Sequence, residues 1–426
     1  MSQPPSSQSS RSQPPLAPAT PAPTARGLAL LTPRVATSLM FFVNGLIVAS
    51  WVVRIPSVRD ALHLTEAQVG TAILGMAVGA LLSMPLSGGW IARFGSAAVT
   101  RLFAVLFCLT LLLPFVAGNL PLLFGALALL GMTNGAMDVA MNAQGVAVER
   151  RLGRPVMSSF HAWFSLGNLS GALAGSLLLA LKVGALPHAL GLGLLSLVAV
   201  LLAGSSLLPR SADQPPEALT PVATGAEAPP LLDSAPARVS LSPLVLPMGL
   251  LCFLAMLGEG ASGDWSGLYY RDVLKVSGGL VGLGYSALTL SMTLGRIFGD
   301  RWRGRFGDER LVVSSGLLSG AGVLLALLSR GYPLATLGYV LTGLGVANIV
   351  PVLYGAAGRA MSGQGIARVA TLGYLGFLAG PPLIGYVSHA LSLRAGLLVI
   401  ALSLLLVSAL GPLIFARLAR VSAARA

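Results

Sequence analysis

The sequence predicts an all-α membrane protein with twelve transmembrane helices in two pseudo-symmetric six-helix bundles and both termini cytoplasmic. Composition, apolar runs and an internal repeat support this fold class. Hydrophobic residues make up 55% of the 426 residues and charged residues only 10%, and the mean hydropathy is +0.82. Soluble domains carry about 25% charged residues, so a soluble fold of this composition would expose large apolar patches. In lipid the same composition is favourable, because the surrounding solvent is itself apolar.

The apolar runs are numerous enough for twelve spans, because a membrane-spanning helix needs about 20 apolar residues. A polar, proline-containing stretch separates the sixth run from the seventh. The predicted spans are residues 34–54, 67–89, 97–117, 120–143, 157–180, 185–208, 242–264, 277–299, 311–329, 332–355, 366–389 and 394–416.

The spans and the basic residues between them predict five segments. The net charge is +13, and most arginines lie in alternate loops, which the positive-inside rule assigns to the cytoplasm with both termini. Because these arginines flank apolar runs, nucleic acid is not an expected partner. The segments are a disordered cytoplasmic tail at 1–33, an N-terminal bundle at 34–208, a cytoplasmic Pro-rich linker at 209–241, a C-terminal bundle at 242–417 and a cytoplasmic tail at 418–426.

The two halves contain the same short motifs in the same order and at a nearly constant offset. Tryptophan, Arg-Asp and Arg-Phe-Gly are not strings that an apolar composition multiplies. A parallel repeat of two six-helix halves builds one large transporter fold. The matching positions are Asn44-Gly and Glu259-Gly, Trp51 and Trp265, Arg59-Asp60 and Arg271-Asp272, and Arg93-Phe-Gly and Arg305-Phe-Gly.

Residues 88–95 and 299–307 are rich in Gly and Arg and are predicted to form tight turns at equivalent places in the two halves. The second copy carries Asp300-Arg301 and resembles the signature loop of the major facilitator superfamily, whereas the first copy lacks the acid. The resemblance implies the major facilitator fold. It also implies that Arg93, Asp300 and Arg301 belong to a charge relay that stabilises one conformation. Positive-inside anchoring is the alternative role for the arginines.

Four strings are similar to those of bacterial inner-membrane proteins related to fucose permease, namely residues 51–56, 138–142, 159–167 and 259–265. This resemblance implies a multi-pass protein of the bacterial inner membrane. It also implies proton coupling by the acid four residues before an asparagine of span four, which here is Asp138. The Asn-Pro-Tyr string of the sugar permeases is absent, which argues against a hexose.

A polar stripe in span four leads to the same acid from the residues alone. Asn134, Asp138 and Asn142 are spaced i, i+4 and i+8, so on a helix they share one narrow face. Lipid cannot satisfy this face, and it is therefore expected to line the protein interior or a cavity. A carboxylate inside the membrane costs at least a few kcal/mol and is a functional candidate. The alternative is a structural pair of Asp138 with His161 or an arginine.

Further polar residues interrupt the other apolar runs. His161 and Ser165 form part of a second stripe in span five, and Glu259 lies well inside span seven. His161 and Glu259 are proton-coupling candidates beside Asp138, although His161 could equally be a hydrogen-bonding residue of a helix contact. Trp51 and Trp265 are candidates for substrate stacking or for interfacial anchoring. The predicted substrate-cavity residues are Asn44, Trp51, Asn134, Asn142, Ser165, Trp265 and Asn348.

Arg54 and Asp264 are predicted to form a gate. Arg54 closes span one at its outer end, and Asp264 lies near the outer end of span seven. These two spans occupy equivalent places in the halves. The sequence therefore predicts that the two side chains pair across the pseudo-two-fold axis and hold the outer side shut.

Together these features predict a secondary active transporter that moves a small polar, sugar-like solute by alternating access in symport with protons. The alternatives are proton-antiport efflux of drugs or metabolites and, in another class, a non-transporting membrane sensor or scaffold. An enzyme is not expected, because the sequence contains no phosphate-binding Gly-Lys-Ser/Thr loop and no metal-ligand spacing. The expected partners are the solute, protons and the lipid bilayer. The protein is expected to be monomeric and to need no cofactor and no metal.

Overall fold

The structure is a computed structural model. It describes residues 31–153, 156–213, 244–360 and 363–423, without the side chains of 158, 300, 358–360, 363–367 and 422–423. Most of the predicted tail at 1–33 and of the predicted linker at 209–241 lies outside the described residues, as do residues 424–426.

The described residues form twelve long helices, two of which are interrupted. Their bounds are α1 Pro33–Ala61, α2 Glu66–Phe94, α3 Ser96–Thr110 with a further turn at Leu113–Val116, α4 Leu120–Leu152, α5 Met157–Ala180, α6 Ala185–Gly204, α7 Val245–Asp264, α8 Leu283–Phe306, α9 Asp308–Leu328, α10 Tyr332–Val346 continued by Ile349–Ala360, α11 Gly363–Ala390 and α12 Leu393–Ala423.

Eleven helices of the described residues are long and apolar enough to cross a membrane. The remaining helix is α8, which has 24 residues but is less apolar because it carries Arg296 and a basic last turn. It also begins six residues later than the predicted span 277–299, since residues 278–282 form a separate short turn. The predicted all-α fold with many membrane-crossing helices is confirmed.

Several helices continue beyond the apolar runs. Pro56 lies inside α1 without ending it, and α12 includes residues 418–423, which the sequence assigns to a tail. The predicted turns at 88–95 and 299–307 are helical up to one glycine each. Gly95 and Gly307 adopt φ angles of 84° and 77°, which glycine reaches at little steric cost. The repeated Arg-Phe-Gly string is therefore a helix end followed by a glycine that turns the chain.

The helices of the two halves pack in the same five pairs. In the first half α1 packs on α5 and α6, α4 packs on α2 and α3, and α3 packs on α6. In the second half α7 packs on α11 and α12, α10 packs on α8 and α9, and α9 packs on α12. Each pair of the first half becomes a pair of the second when six is added to both helix numbers. The predicted pseudo-symmetry of the two bundles is confirmed.

Two further pairs join the halves, namely α2 with α11 and α5 with α8. We call the end of the bundle at which Gly95 meets Arg210 the linker end, and the opposite end, with residues 62–65, the far end. Close backbone contacts of α2 with α11 lie toward the far end. A Cβ on Gly70 would lie only 2.5 Å from the Pro381 carbonyl oxygen, and one on Gly385 2.7 Å from the Glu66 carbonyl oxygen. Small residues allow this approach.

Replacing Gly131 by alanine tests the helix packing inside the first half. A Cβ at Gly131 of α4 would lie 1.9 Å from the Met76 carbonyl oxygen of α2, so the two helices would have to separate. We expect Gly131→Ala to cost about 1–3 kcal/mol of stability and to lower the apparent unfolding temperature of the purified protein. The matched control is Gly125→Ala on the same helix, where no heavy atom lies within 4 Å of the added carbon. Equal unfolding temperatures of the two variants would contradict this packing.

Candidate functional site

The side chain of Arg296 joins the two halves where α5, α7 and α8 meet. Arg296 of α8 donates from Nη2 to Glu259 Oε1 at 3.1 Å and from Nη1 to Ser165 Oγ at 3.3 Å. The side chains are 31% exposed for Arg296 and 19% for Glu259, whereas Ser165 is buried. Glu259 and Ser165 are predicted site residues, and Arg296 brings them together by a hydrogen bond to each. The contact joins α5 of one half to α7 and α8 of the other.

Asp138 approaches the same region from α4. The Asn142 amide donates to the Asp138 carboxylate at 3.3 Å and to its backbone oxygen at 2.8 Å. Tyr374 of α11 lies near enough that the charges of both Asp138 and Glu259 act on its hydroxyl. The fields of two carboxylates from opposite halves therefore overlap at this hydroxyl. The spacing of Asn134, Asp138 and Asn142 correctly indicates a polar face turned to the interior.

Asp138 has no cationic partner among the described residues. The alternative role for Asp138, a structural pair with His161 or an arginine, is therefore absent from this conformation. His161 is exposed, its ring meets the Phe41 ring edge-on at 5.3 Å, and the charge of Arg296 reaches it. Asn142 supplies the one hydrogen bond to the carboxylate, so Asp138 is held in position without being neutralised.

The predicted cavity amides are largely paired with the protein itself. Asn44 of α1 donates to the Asn134 side-chain oxygen at 2.9 Å, which joins α1 to α4. Asn348, at the interruption of α10, is 6% exposed and donates to the Gly295 carbonyl oxygen of α8 at 2.9 Å. In this conformation the interrupted helix turns the Asn348 amide toward α8, so its role in the cavity stays a prediction.

Trp51 and Trp265 are core residues. Their side chains are 2% and 0% exposed, and neither indole nitrogen has a hydrogen-bond partner. Trp51 packs against Phe115 at 6.0 Å between ring centroids. Substrate stacking and interfacial anchoring both require an accessible ring, which neither tryptophan offers in this conformation, so both roles stay predictions. The repeated tryptophans fill equivalent places in the two halves.

The predicted pairing of Arg54 with Asp264 is not formed. Arg54 is 2% exposed and donates from Nε to His188 Nδ1 of α6 at 2.7 Å, so its side chain points into the first half. Asp264 of α7 makes no described hydrogen bond or ion pair, and its charge acts on Tyr285 of α8. The two residues lie at corresponding helix ends, but the rotation of each helix turns its side chain into its own half.

The charges that join the halves at the far end belong to the repeated Arg-Asp motif. Arg59 of the first half pairs with Asp272 of the second, and Arg271 Nη1 of the second half pairs with Asp60 Oδ2 of the first at 2.5 Å. Arg271 also donates to the Pro56 carbonyl oxygen at 2.7 Å. Each half thus supplies one arginine and receives one. We call Arg59, Asp60, Arg271 and Asp272 the reciprocal ion pairs.

The electrostatics at Asp272 favour its charged form. Burial alone would raise the pKa of this carboxyl, but hydrogen bonds and charges from Arg271 and Arg59 outweigh burial and hold the pKa below its ordinary value. Because the pKa of Asp272 is lowered, its carboxylate is charged and paired with the arginines at neutral pH. The contribution of this pairing to the stability of the closed far end is lost only as the pH falls through the lowered pKa.

The predicted loop residues lie at the linker end. Arg93 is exposed and lies 5.2 Å from the centre of the Phe94 ring, and Arg301 is exposed in the last turns of α8. The side chain of Asp300 lies outside the described residues. At the end of α8, Arg303 Nε contacts Asp308 Oδ1 at 2.7 Å.

Sequence reasoning missed several of these residues. Arg296 stands inside the predicted span 277–299, where an intramembrane arginine is itself a functional signal, but no polar stripe or repeated motif marks it. The reciprocal ion pairs are visible as a repeat, yet a repeat alone does not show that its copies face each other. Tyr374 and His188 carry no pattern that marks them. Among the described residues, no group of three or more His, Cys, Asp or Glu side chains could hold a metal ion.

Comparison with known proteins gives consistent matches over most of the chain. The sequence model of the Major Facilitator Superfamily matches residues 37–302 and 248–425. An uncharacterized MFS-type transporter of Yersinia pestis is 33% identical over 89% of this chain and 95% of its own length. The membrane protein MosC of Rhizobium meliloti is 34% identical over 88% of both chains. An uncharacterized transporter of Sinorhizobium fredii is 31% identical over 90% of this chain and 99% of its own.

Solved structures share the fold at low sequence identity. The nucleoside transporter NupG matches with a TM-score of 0.67 and 13% identity, over 92% of this chain and 99% of its own. A bacterial homolog of the human lysosomal transporter Spinster matches with a TM-score of 0.69 and 13% identity, over 89% and 95%. At this identity the likeness concerns the arrangement of the helices only.

Weakening the reciprocal ion pairs tests whether they hold the far end closed. Spin labels on cysteines at His63 and Lys275, exposed residues of the two halves, would report the separation. We expect Arg59→Gln and Asp272→Asn each to increase the population of molecules with a longer label-to-label distance. The ratio of open to closed molecules should rise by up to about five-fold, since a partly exposed pair contributes up to about 1 kcal/mol. The double variant should show less than the sum of the two shifts.

The matched control is Lys182→Gln, which removes a far-end charge outside the reciprocal ion pairs and should leave the distances unchanged. Acidification from pH 7 to pH 6 should also leave the unsubstituted protein closed, because the pKa of Asp272 is lowered and its carboxylate stays charged. Additive shifts in the double variant, or opening at pH 6, would contradict this role.

Proposed function

Because this chain belongs to the Major Facilitator Superfamily and is a multi-pass transporter of the bacterial cell membrane, we propose that it moves a small polar solute by alternating access in symport with protons. Membership of a transporter family confirms that the chain is not an enzyme, and the relatives described as transporters favour transport over the sensor or scaffold alternative. The proposal adds the coupling ion, the residues that carry it and the direction.

The observation that carries the proposal is the position of Asp138. Its carboxylate lies within α4 and has one amide donor and no described cation. An unpaired carboxylate in a low-dielectric site is costly when charged, so it gains stability by binding a proton. A proton bound there lowers the cost of rearranging the two halves around the site. Asp138 is thus the proton carrier of the proposal.

Alternating access requires that one end opens while the other is closed. The reciprocal ion pairs and the close contact of α2 with α11 support a closed far end in this conformation, and the exposure of His161 supports an open path toward the linker end. With the linker end in the cytoplasm, as the loop arginines favour, this is an inward-open state. Breaking the reciprocal ion pairs is then the step that opens the outer side.

Uptake by symport is favoured over proton-antiport efflux. Efflux proteins of this superfamily often carry a Gly-Pro string in the fifth span, and α5 contains no proline. The protein is proposed to act as a monomer in the bilayer. Amides at Asn44, Asn134 and Asn142 offer donors and acceptors for a polar solute once the site rearranges.

Replacing Asp138 by asparagine tests the proton role. Asparagine keeps the size of the side chain but cannot bind or release a proton. In liposomes with an imposed pH gradient, we expect Asp138→Asn to lose at least ten-fold of solute accumulation while solute-for-solute exchange persists, because exchange needs no net proton movement. The solute is first selected by thermal stabilisation over a panel of polar compounds.

The matched control is Glu309→Gln at the exposed start of α9, which removes an acid without touching the site and should keep full accumulation. Retained exchange in Asp138→Asn shows that the variant is folded. Full pH-driven accumulation by Asp138→Asn would overturn the proton role. Accumulation driven by an outward proton gradient would instead indicate antiport.

A further inference from the structure

The guanidinium of Arg296 is only partly satisfied by the protein. A guanidinium has five N–H donors in a planar fork, and the described contacts use one Nη1 bond to Ser165 at 3.3 Å and one Nη2 bond to Glu259 at 3.1 Å. Charge-assisted bonds of this kind are usually shorter, about 2.7–2.9 Å. The side chain is 31% exposed although it belongs to a helix inside the bundle.

Other ion pairs of the same chain are held more tightly. Arg303 contacts Asp308 with two nitrogens, Nε at 2.7 Å and Nη2 at 3.4 Å. Arg271 contacts Asp272 with Nε at 2.7 Å and Nη2 at 3.2 Å, and Asp60 with Nη1 at 2.5 Å. Arg296 instead meets Glu259 with one nitrogen, and its Nε makes no described hydrogen bond. This geometry suits an ion pair in which Glu259 can be replaced by another anion better than it suits a permanent ion pair.

Arg296 also requires an anion at every stage. A guanidinium keeps its charge under all physiological conditions, and a charge inside the membrane without a counter-ion is strongly unfavourable. The groups that face it are Glu259 from α7 and Ser165 and His161 from α5, with Tyr374 of α11 beside Glu259. Glu259 is its one described counter-ion. Whenever Glu259 is neutral, another anion has to take its place.

We infer that the transported solute carries a carboxylate that binds the guanidinium of Arg296 in place of Glu259. This inference rests on the proposed function and names the substrate class of the same site. A planar carboxylate can accept two parallel bonds from the fork of Arg296, which the single oxygen of Glu259 does not. Ser165 then offers a hydroxyl from the other half, so the solute bridges α8 and α5.

The exchange includes one proton. Two carboxylates on one guanidinium repel each other, so Glu259 takes up a proton from the solution as the solute binds, and it releases that proton when it recovers Arg296. The bonds that change are O–H bonds, one formed on the Glu259 carboxyl and one broken on the hydronium or buffer acid that supplies the proton. The charge of the site is the same before and after, because one carboxylate and one guanidinium remain paired. The proton and the solute therefore enter from the same side.

Binding to the purified protein tests the inference. The probes are lactate, pyruvate, succinate, gluconate and glucuronate, each compared with a neutral counterpart such as lactamide or glucose and with the amine glucosamine. We expect at least one carboxylate to bind at least ten-fold more tightly than its neutral counterpart in isothermal titration. Arg296→Gln should lose at least ten-fold of that affinity, and Arg296→Lys should lose less. The matched control Arg310→Gln, an exposed arginine of α9, should bind normally.

The proton is measured in the same experiment. Titration in buffers of different ionisation enthalpy should show uptake of at least one proton per carboxylate bound by the unsubstituted protein. Glu259→Gln should still bind the carboxylate and should take up about one proton fewer, whereas any proton bound by Asp138 is retained. This readout separates an exchanged counter-ion from a merely structural ion pair, which would not move the proton count.

Several results would overturn the inference. They are tightest binding of a neutral or cationic solute, unchanged affinity in Arg296→Gln, binding without proton uptake, and no carboxylate binding over the whole panel. The proposed function fails separately. Accumulation of a neutral or cationic solute that depends on Asp138 keeps the transporter proposal and removes the carboxylate. Carboxylate binding that depends on Arg296, without any pH-driven accumulation, keeps the carboxylate inference and removes the proposal of proton symport.

Discussion

Charged side chains cannot remain in contact with lipid, and this constraint explains where the charges inside the bundle lie. Arg296, Glu259 and Asp138 all belong to long helices, and all three turn toward the space between the halves. Arg54 satisfies the same constraint differently, since it is buried against His188 within one half. Because hydrocarbon offers no hydrogen bonds, each charge fixes the rotation of its helix. The polar interior of the molecule follows from these few rotations.

The architecture could be predicted from the sequence because it depends on properties that are read along one stretch of chain, such as the length of an apolar run. Apolar length indicates the helices, and the repeat of Trp51 and Arg59-Asp60 indicates two related bundles. The face of α4 was also predictable, since Asp138 and Asn142 lie four residues apart on one helix. All these features depend on spacing along one chain segment, which the sequence contains directly.

The pairings between helices could not be predicted in this way. Arg54 and Asp264 end corresponding helices, and their charges are opposite, yet the orientation of each helix turns the side chains apart. Asn348 shows a similar limit, because the interruption of α10 turns its amide to Gly295. Arg296 contacts Glu259, although no spacing in the sequence relates the two residues. Which side chains meet across helices depends on rotation and tilt, and these are properties of the packed bundle.

The reciprocal ion pairs have a consequence for the origin of the two halves. Arg59 meets Asp272 while Arg271 meets Asp60, so the contact is unchanged when the halves exchange places. Symmetric dimers of identical subunits associate through self-complementary surfaces of this kind. A single six-helix ancestor with Arg-Asp at the end of its first helix would already fit a second copy of itself. Duplication and fusion of its gene would then preserve a contact that two separate chains could already make.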